Sequence, residues 1–176
     1  MLGFIGCGNI AGAMIRGVLD SGLMKPGEII ASAAHESTLL EAEEAYQIFT
    51  TLDNQVVAKQ SSVLVLAVKP KFYESVINEI KTALKPDTVI ISLAPNFTFK
   101  ELEEMVGGHD KLVRGIPNTP ALTGQGMSSL CFHDSLSEEE RATVLEIFES
   151  FGQVEVFTED LMGPASGLAG CSPAFI

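Results

Sequence analysis

Within its opening residues the chain carries an apolar, strand-like run straight into a glycine turn and out again in helical spacing: Gly3-Phe4-Ile5-Gly6-Cys7-Gly8-Asn9-Ile10-Ala11. No other feature of the sequence restricts the fold as strongly. In the resulting G-x-G-x-x-A pattern, Gly6 permits a tight turn, Gly8 lets a pyrophosphate approach the backbone, and Ala11 lets the following helix pack closely on the strand. The start of that helix offers backbone N–H groups to an anion. Glycine-rich turns also join strands to helices that bind nothing, so the surroundings matter. The preceding residues are apolar, and Ile10, Met14 and Val18, with Ile15 and Leu19 beside them, recur at helical spacing. This predicts a dinucleotide site at the glycine turn and the start of the helix that follows it.

A length of 176 residues suits one domain with a sizeable core. With 46% hydrophobic and 19% charged residues, and no apolar run long enough to span a bilayer, the chain reads as soluble and globular. No basic segment precedes an apolar one at the amino terminus, so no secretory leader is expected. The net charge of −12 works against nucleic acid or an anionic membrane as partner, so a phosphate-bearing cofactor must be held by backbone donors and a few cations. Cys7, Cys131 and Cys171 are odd in number and far apart, which fits a reducing, cytoplasmic setting rather than a disulfide framework. The histidines show no metal-ligand spacing with them, and no metal is expected.

Strand and helix signals alternate along the sequence, which predicts an α/β fold: a Rossmann-type, doubly wound, mostly parallel sheet with helices on both faces. Strands are expected at 28–32, 46–50, 63–68, 88–93, 111–116, 128–132 and 153–157. Thr98-x-x-Glu101 and Ser137-x-x-Glu140 read as capping boxes, with Phe97 stapling onto Leu102. The second box opens a helix with Val144, Leu145, Phe148 and Phe151 facing inward. Val76, Ile77, Ile80 and Leu84 form the buried stripe of a helix that runs from Pro70 until Pro86 stops it.

In such a sheet, ligands lie just beyond the carboxyl ends of the strands. At the end of the second strand, Ser32-Ala33-Ala34-His35 lacks the acidic residue that binds the ribose hydroxyls of NAD, which favours NADP. The alternative is that Glu36 bends back into the acidic role. Lys69, in Ala67-Val68-Lys69-Pro70, reaches a phosphate or ribose, or else is simply solvated. Pro95-Asn96 makes a third edge near the same crevice. Arg114-Gly115-Ile116-Pro117-Asn118-Thr119-Pro120 is a stiff loop whose amide and hydroxyl suit a carboxamide or carboxylate, while Arg114 itself reads equally well as an ion-pair partner.

Together these segments resemble a known family. GFIGCGNIAGAMIRG, LAVKP, ISLAPNFT, RGIPNTPALTGQG and GLAGCSPAF match, in order and spacing, the motifs of Δ1-pyrroline-5-carboxylate reductase. The resemblance implies reduction of Δ1-pyrroline-5-carboxylate to L-proline with NAD(P)H, the last step of proline biosynthesis, and the end of the second strand adds the preference for NADPH over NADH. It implies cofactor contacts at Gly6 to Ala11, Ser32, Ala33, Asn54, Val68, Lys69, Pro70, Ala94 and Pro95. Asn118, Thr119 and Glu159 would lie near the substrate. It further implies an NAD(P)-binding domain over residues 1–160. Residues 161–176 would open a helical dimerisation domain that is otherwise absent and that would supply the main proton-donating group. The protein would be a homo-oligomer with that domain and a monomer without it. Two departures stand out: Pro95-Asn96 replaces the family's Ala-Gly, and Gly170-Cys171-Ser172-Pro173-Ala174-Phe175 replaces Gly-Ser-Gly-Pro-Ala-Tyr. The rival readings are a regulatory or catalytically altered NADP-binding paralogue, and a β-hydroxyacid or F420-linked dehydrogenase.

Overall fold

The computed structural model describes residues 1–118 and 126–171. Its strands are β1 (Leu2–Ile5), β2 (Ile29–Ser32), β3 (Phe49–Thr51), β4 (Val63–Leu66), β5 (Val89–Ser92), β6 (Leu112–Ile116), β7 (Gly126–Phe132) and β8 (Gly152–Val156). Its helices are α1 (Asn9–Asp20), α2 (Glu36–Tyr46), α3 (Asn54–Gln60), α4 (Tyr73–Ile80), α5 (Phe99–Met105), α6 (Glu138–Glu149) and α7 (Glu159–Cys171). The strands form one sheet in the order β3-β2-β1-β4-β5-β6-β7-β8. All pairings are parallel except β6 with β7, so β7 and β8 run against the rest. This is the expected doubly wound sheet, with its switch point between β1 and β4.

Central strands read as continuous apolar runs because both of their faces are covered. Leu2, Phe4, Val63, Val65, Val89 and Ile91 pack with Met14, Ile15 and Val18 of α1 and with Ile147 and Phe148 of α6. Their alternates Ile5, Leu64, Leu66 and Ile90 pack on the opposite face with Val57 of α3, Ile77 and Ile80 of α4, Leu102 of α5 and Met162 of α7. Each such side chain, fully buried, contributes about 1.5–3 kcal/mol. In-register pairing sets the carboxyl ends of the parallel strands level: Ile5 lies opposite both Ser32 and Leu66, and Leu66 opposite Ser92. That alignment gathers the loops after β1, β2, β4 and β5 at one rim.

Several boundaries differ from the sequence reading, each for a local reason. Glu28 closes a 3₁₀ turn, Pro26–Glu28, and its carboxylate accepts from Lys25 N at 2.8 Å, so β2 begins one residue later. Tyr46 ends α2, and Gln47 caps it at φ 56°, leaving β3 to start at Phe49. β4 stops at Leu66 because Ala67 and Val68 turn out of the sheet. Helix α4 ends at Ile80, well before Pro86. In α6 it is Ile147 that is buried, while Leu145 is half-buried and Phe151 lies beyond the helix end.

Both capping boxes are present. Thr98 Oγ1 accepts from Glu101 N, and Glu101 Oε2 accepts from Thr98 N at 2.8 Å. Ser137 and Glu140 repeat the arrangement, with Lys111 Nζ 2.6 Å from Glu140 Oε1. The bond from Lys111 holds the Glu140 carboxyl below its ordinary value of 4.5, and the Thr98 backbone N–H does the same for Glu101. A carboxyl whose folded pKa is depressed stabilises the fold above its unfolded value and loses that stabilisation as pH falls through the folded one. Urea midpoints should therefore fall below pH 4.5, and the fall should be shallower in Glu140→Gln. Identical pH profiles for the two proteins would refute this.

Candidate functional site

The rim at the switch point is built around the turn after β1. Gly6 sits at φ +93°, and a Cβ there would lie 2.8 Å from Ala67 O, so both conformation and space require glycine. Its N–H donates to Ser32 O at 3.0 Å, and Ala67 N donates to Ile5 O at 2.9 Å, locking the turn between its neighbours. Cys7 is half-buried, and burial pushes its thiol pKa up.

Gly8 differs from Gly6. It caps α1 at φ −88°, provides no side-chain cap, and a Cβ there would meet nothing within 4 Å. Nothing in the chain's own conformation or packing asks for glycine at this position. What its bareness preserves is access to the start of α1. The first intrahelical bond runs from Gly12 N to Gly8 O at 2.8 Å, which leaves the N–H groups of Asn9, Ile10 and Ala11 without helical acceptors. No acidic side chain stands in the first turn to compete for them. A pyrophosphate fits this donor set and the positive end of the helix dipole. A groove of about 580 Å³ between α1 and α2, lined by Gly8, Asn9, Arg16, Thr38 and Tyr46 among others, opens beside it.

At the end of β2, Ser32 is fully buried. Its hydroxyl donates to Asn54 Oδ1 at 2.7 Å, and Asn54 Nδ2 donates to Glu79 Oε2 at 2.9 Å. Two residues expected to contact the cofactor are thus joined to each other, and the Ser32 side chain points into the protein. The accessible surface there belongs to half-buried Ala33 and exposed Ala34, His35 and Glu36. Glu36 opens α2, where a helix dipole favours a carboxylate. After β4, Val68 is half-buried, while Lys69 and Pro70 are exposed at the head of a 3₁₀ turn, Pro70–Phe72. After β5, Ala94 is buried and Pro95 exposed.

Of the residues expected near a substrate, Asn118 accepts from Met127 N at 3.0 Å through Oδ1, tying the chain after β6 to the start of β7. Thr119 lies outside the described residues. Glu159 Oε1 accepts from Phe99 N at 2.6 Å, capping α5, and from Arg114 Nη1 at 3.2 Å. Arg114 is 5% exposed, and its Nη2 donates to Pro95 O at 3.1 Å. Of the two readings of Arg114, the ion-pair partner is the one present.

Sequence reasoning missed Tyr73. The ring is fully buried, and its hydroxyl touches both β4 and β5 where they end. The signal was there: Tyr73 falls on the stripe of Val76, Ile77 and Ile80, where a phenol needs a hydrogen-bond partner. Among the described residues, no group of three or more His, Cys, Asp or Glu is placed to hold a metal, and no helix is long and apolar enough to cross a membrane.

Comparison with known proteins bears on this rim directly. The family described as "NADP oxidoreductase coenzyme F420-dependent" matches residues 1–96, more than half of the chain. The chain belongs to this family. It is similar to the pyrroline-5-carboxylate reductase of Escherichia coli (strain K12), at 34% identity over 175 residues, covering 99% of this chain and 65% of the relative. Among solved structures, a pyrroline-5-carboxylate reductase from Coxiella burnetii superposes with a TM-score of 0.94 at 29% identity, covering 99% of this chain and 65% of that one. The Plasmodium falciparum pyrroline carboxylate reductase, solved with NADP bound, gives a TM-score of 0.86 at 30% identity, with 99% and 63% covered. The chain thus spans just under two thirds of the length of the relatives it matches. The match to the oxidoreductase family takes in β1 to β5 and every rim loop from Gly6 to Pro95.

Proposed function

We propose that this chain is the NADPH-binding part of a pyrroline-5-carboxylate reductase, acting in the cytoplasm on Δ1-pyrroline-5-carboxylate to give L-proline. One observation supports the cofactor site above all: a helix start kept bare by a glycine that the fold itself does not need. When bound, the nicotinamide supplies the hydride that reduces the C=N bond. The chain's own residues bind and orient. The N–H groups of Asn9, Ile10 and Ala11 take the pyrophosphate, and Ala33 to Glu36 with Asn54 face the adenosine end. Lys69 and Pro70 lie along the middle, and Ala94 and Pro95 border the nicotinamide. The absence of an aspartate or glutamate directly at the β2 end supports NADPH over NADH. No side chain among the described residues at this rim is an evident proton donor to the imine. The donor, the rest of the imine pocket and the dimer contacts are assigned to a helical domain following residue 160.

The test is NADPH oxidation with Δ1-pyrroline-5-carboxylate, using protein expressed through to the natural stop codon of its gene. Proline formation, faster with NADPH than with NADH, is the expected result. Binding of NADPH without imine reduction would favour the second reading, a regulatory or altered-substrate paralogue. Pro95-Asn96, in place of Ala-Gly beside the nicotinamide, is the feature that supports that alternative.

A further inference from the structure

The loop after β5 is held from beneath by buried side chains, and one hydroxyl does most of the holding. Tyr73 Oη donates to Leu66 O at 2.8 Å, and accepts from Leu93 N and Ala94 N, each at 3.1 Å. The Ser92 hydroxyl lies 3.2 Å away. Leu66 ends β4 and Ser92 ends β5, directly opposite each other in the sheet. A single phenolic oxygen therefore joins the two strand ends and takes up two consecutive backbone donors at the point where the chain leaves β5. Its ring is clamped as well: it is fully buried and packs against Phe97 at a tilt of 30°, with centroids 5.2 Å apart. From the other side, Arg114 Nη2 grips Pro95 O at 3.1 Å. Of three successive residues, Leu93 and Ala94 are thus anchored through the backbone to one buried side chain of α4, and Pro95 to one of β6. Beyond them Pro95 and Asn96 stand exposed.

So much fixation is more than a surface turn needs for its own stability. Exposed turns satisfy their amides with water and tolerate variation. Here the amides of Leu93 and Ala94 are sequestered, and their acceptor also fixes the end of β4, which leads into Val68-Lys69-Pro70. The two loops that flank the crevice on this side are set relative to one another by the same atom. We infer that Tyr73 is a positioning residue, whose hydroxyl holds the Leu93–Pro95 turn at the height and angle needed to border the nicotinamide ring. The inference rests on the NADPH reading above. Tyr73 touches no cofactor itself; it acts through the backbone it holds.

Tyr73→Phe keeps the buried ring and removes only the oxygen. Two ligands separate positioning from general support: NADPH, and 2′-phospho-ADP-ribose, which shares the adenosine and pyrophosphate but lacks nicotinamide. The expected result is an NADPH dissociation constant about tenfold higher in the variant, with 2′-phospho-ADP-ribose changed less than about twofold, since one lost hydrogen-bonding hub displaces only the nicotinamide edge. In the cofactor-free protein, hydrogen exchange at the Leu93 and Ala94 amides should accelerate relative to Ile91 within β5. Equal weakening of both ligands, or of neither, overturns the positioning role. If the unmodified protein binds neither ligand, the NADPH reading itself fails and takes this role with it, and that outcome is visible before any variant is made. Should Tyr73→Phe not fold, Ser92→Ala carries the same test. It removes the hydroxyl beside Tyr73 Oη and should give a smaller, roughly twofold to threefold, NADPH-selective loss; a loss shared by both ligands would again overturn the role.

Discussion

Gly8→Asp should weaken NADPH binding about a hundredfold while leaving the protein as stable as before, or slightly more so. The open space around a Cβ at Gly8 means that the new side chain displaces nothing. At the N-cap of α1, where no side chain now caps the helix, an aspartate accepts from a first-turn N–H and stabilises the helix by about 0.3 kcal/mol, glycine being itself a tolerated cap. The same carboxylate occupies the donors a pyrophosphate needs and sets negative charge against negative charge. At roughly 4 Å and an effective dielectric of about 20 that repulsion is near 4 kcal/mol, so even after screening a loss of about a hundredfold in affinity follows. Gly6→Ala gives the opposite pattern. The left-handed backbone and the contact with Ala67 O together cost about 3 kcal/mol of stability, with binding lost as a consequence of the damaged turn. Thermal melts and fluorescence titration of the two variants read both effects. NADPH affinity unchanged in Gly8→Asp would remove the cofactor from the α1 terminus.

The second large effect concerns a charge that the fold has taken out of water. Arg114 is almost fully enclosed, with Glu159 and the Pro95 carbonyl as its partners and its Nε without one among the described residues. Glu159→Ala removes the countercharge and the cap on Phe99 N in one step. Loss of one member of a buried pair costs about 3–5 kcal/mol when both are enclosed, and the 39% exposure of the Glu159 side chain lowers the expected cost to about 2–3 kcal/mol. The informative comparison is the double variant Arg114→Met/Glu159→Ala, which no longer strands a cation. It should be more stable than Glu159→Ala alone, in line with the finding that replacing a buried pair is less harmful than breaking it. Urea denaturation measures both, and a double variant less stable than the single one would refute this account.

Elements whose signals are local were legible in the sequence. The glycine turn, the two capping boxes and the apolar runs of β1, β4 and β5 each follow from the spacing of a few neighbouring residues, and the structure has them where they were expected. Strand ends were read less well. Glu28, Tyr46 and Val68 have side chains compatible with a strand, and what excludes them is a hydrogen bond or a backbone turn that composition does not encode. The largest gap is Tyr73. Its place on the apolar stripe of α4 shows that the phenol needs a partner, but the partners come from β4 and from the chain beyond β5, up to 21 residues away, and no local pattern says which they are. Ser32 shows the same limit from the other side: its place at the end of β2 was correct, but its burial against Asn54 depends on how α3 returns across the sheet.

That sealed hydroxyl bears on how this protein would be redesigned. Converting a strand-end residue to aspartate is the obvious way to change which nicotinamide cofactor a sheet of this kind prefers. At Ser32 the substitution would place a carboxylate in a position with no solvent exposure, against Asn54 Oδ1 and with Glu79 one hydrogen bond further on, and with no cation among its hydrogen-bond partners. The position that looks adjustable in the sequence is therefore closed to adjustment. Freedom to alter cofactor choice lies one step further along the chain, on the open shoulder from Ala33 to Glu36, where a new charge can remain in water.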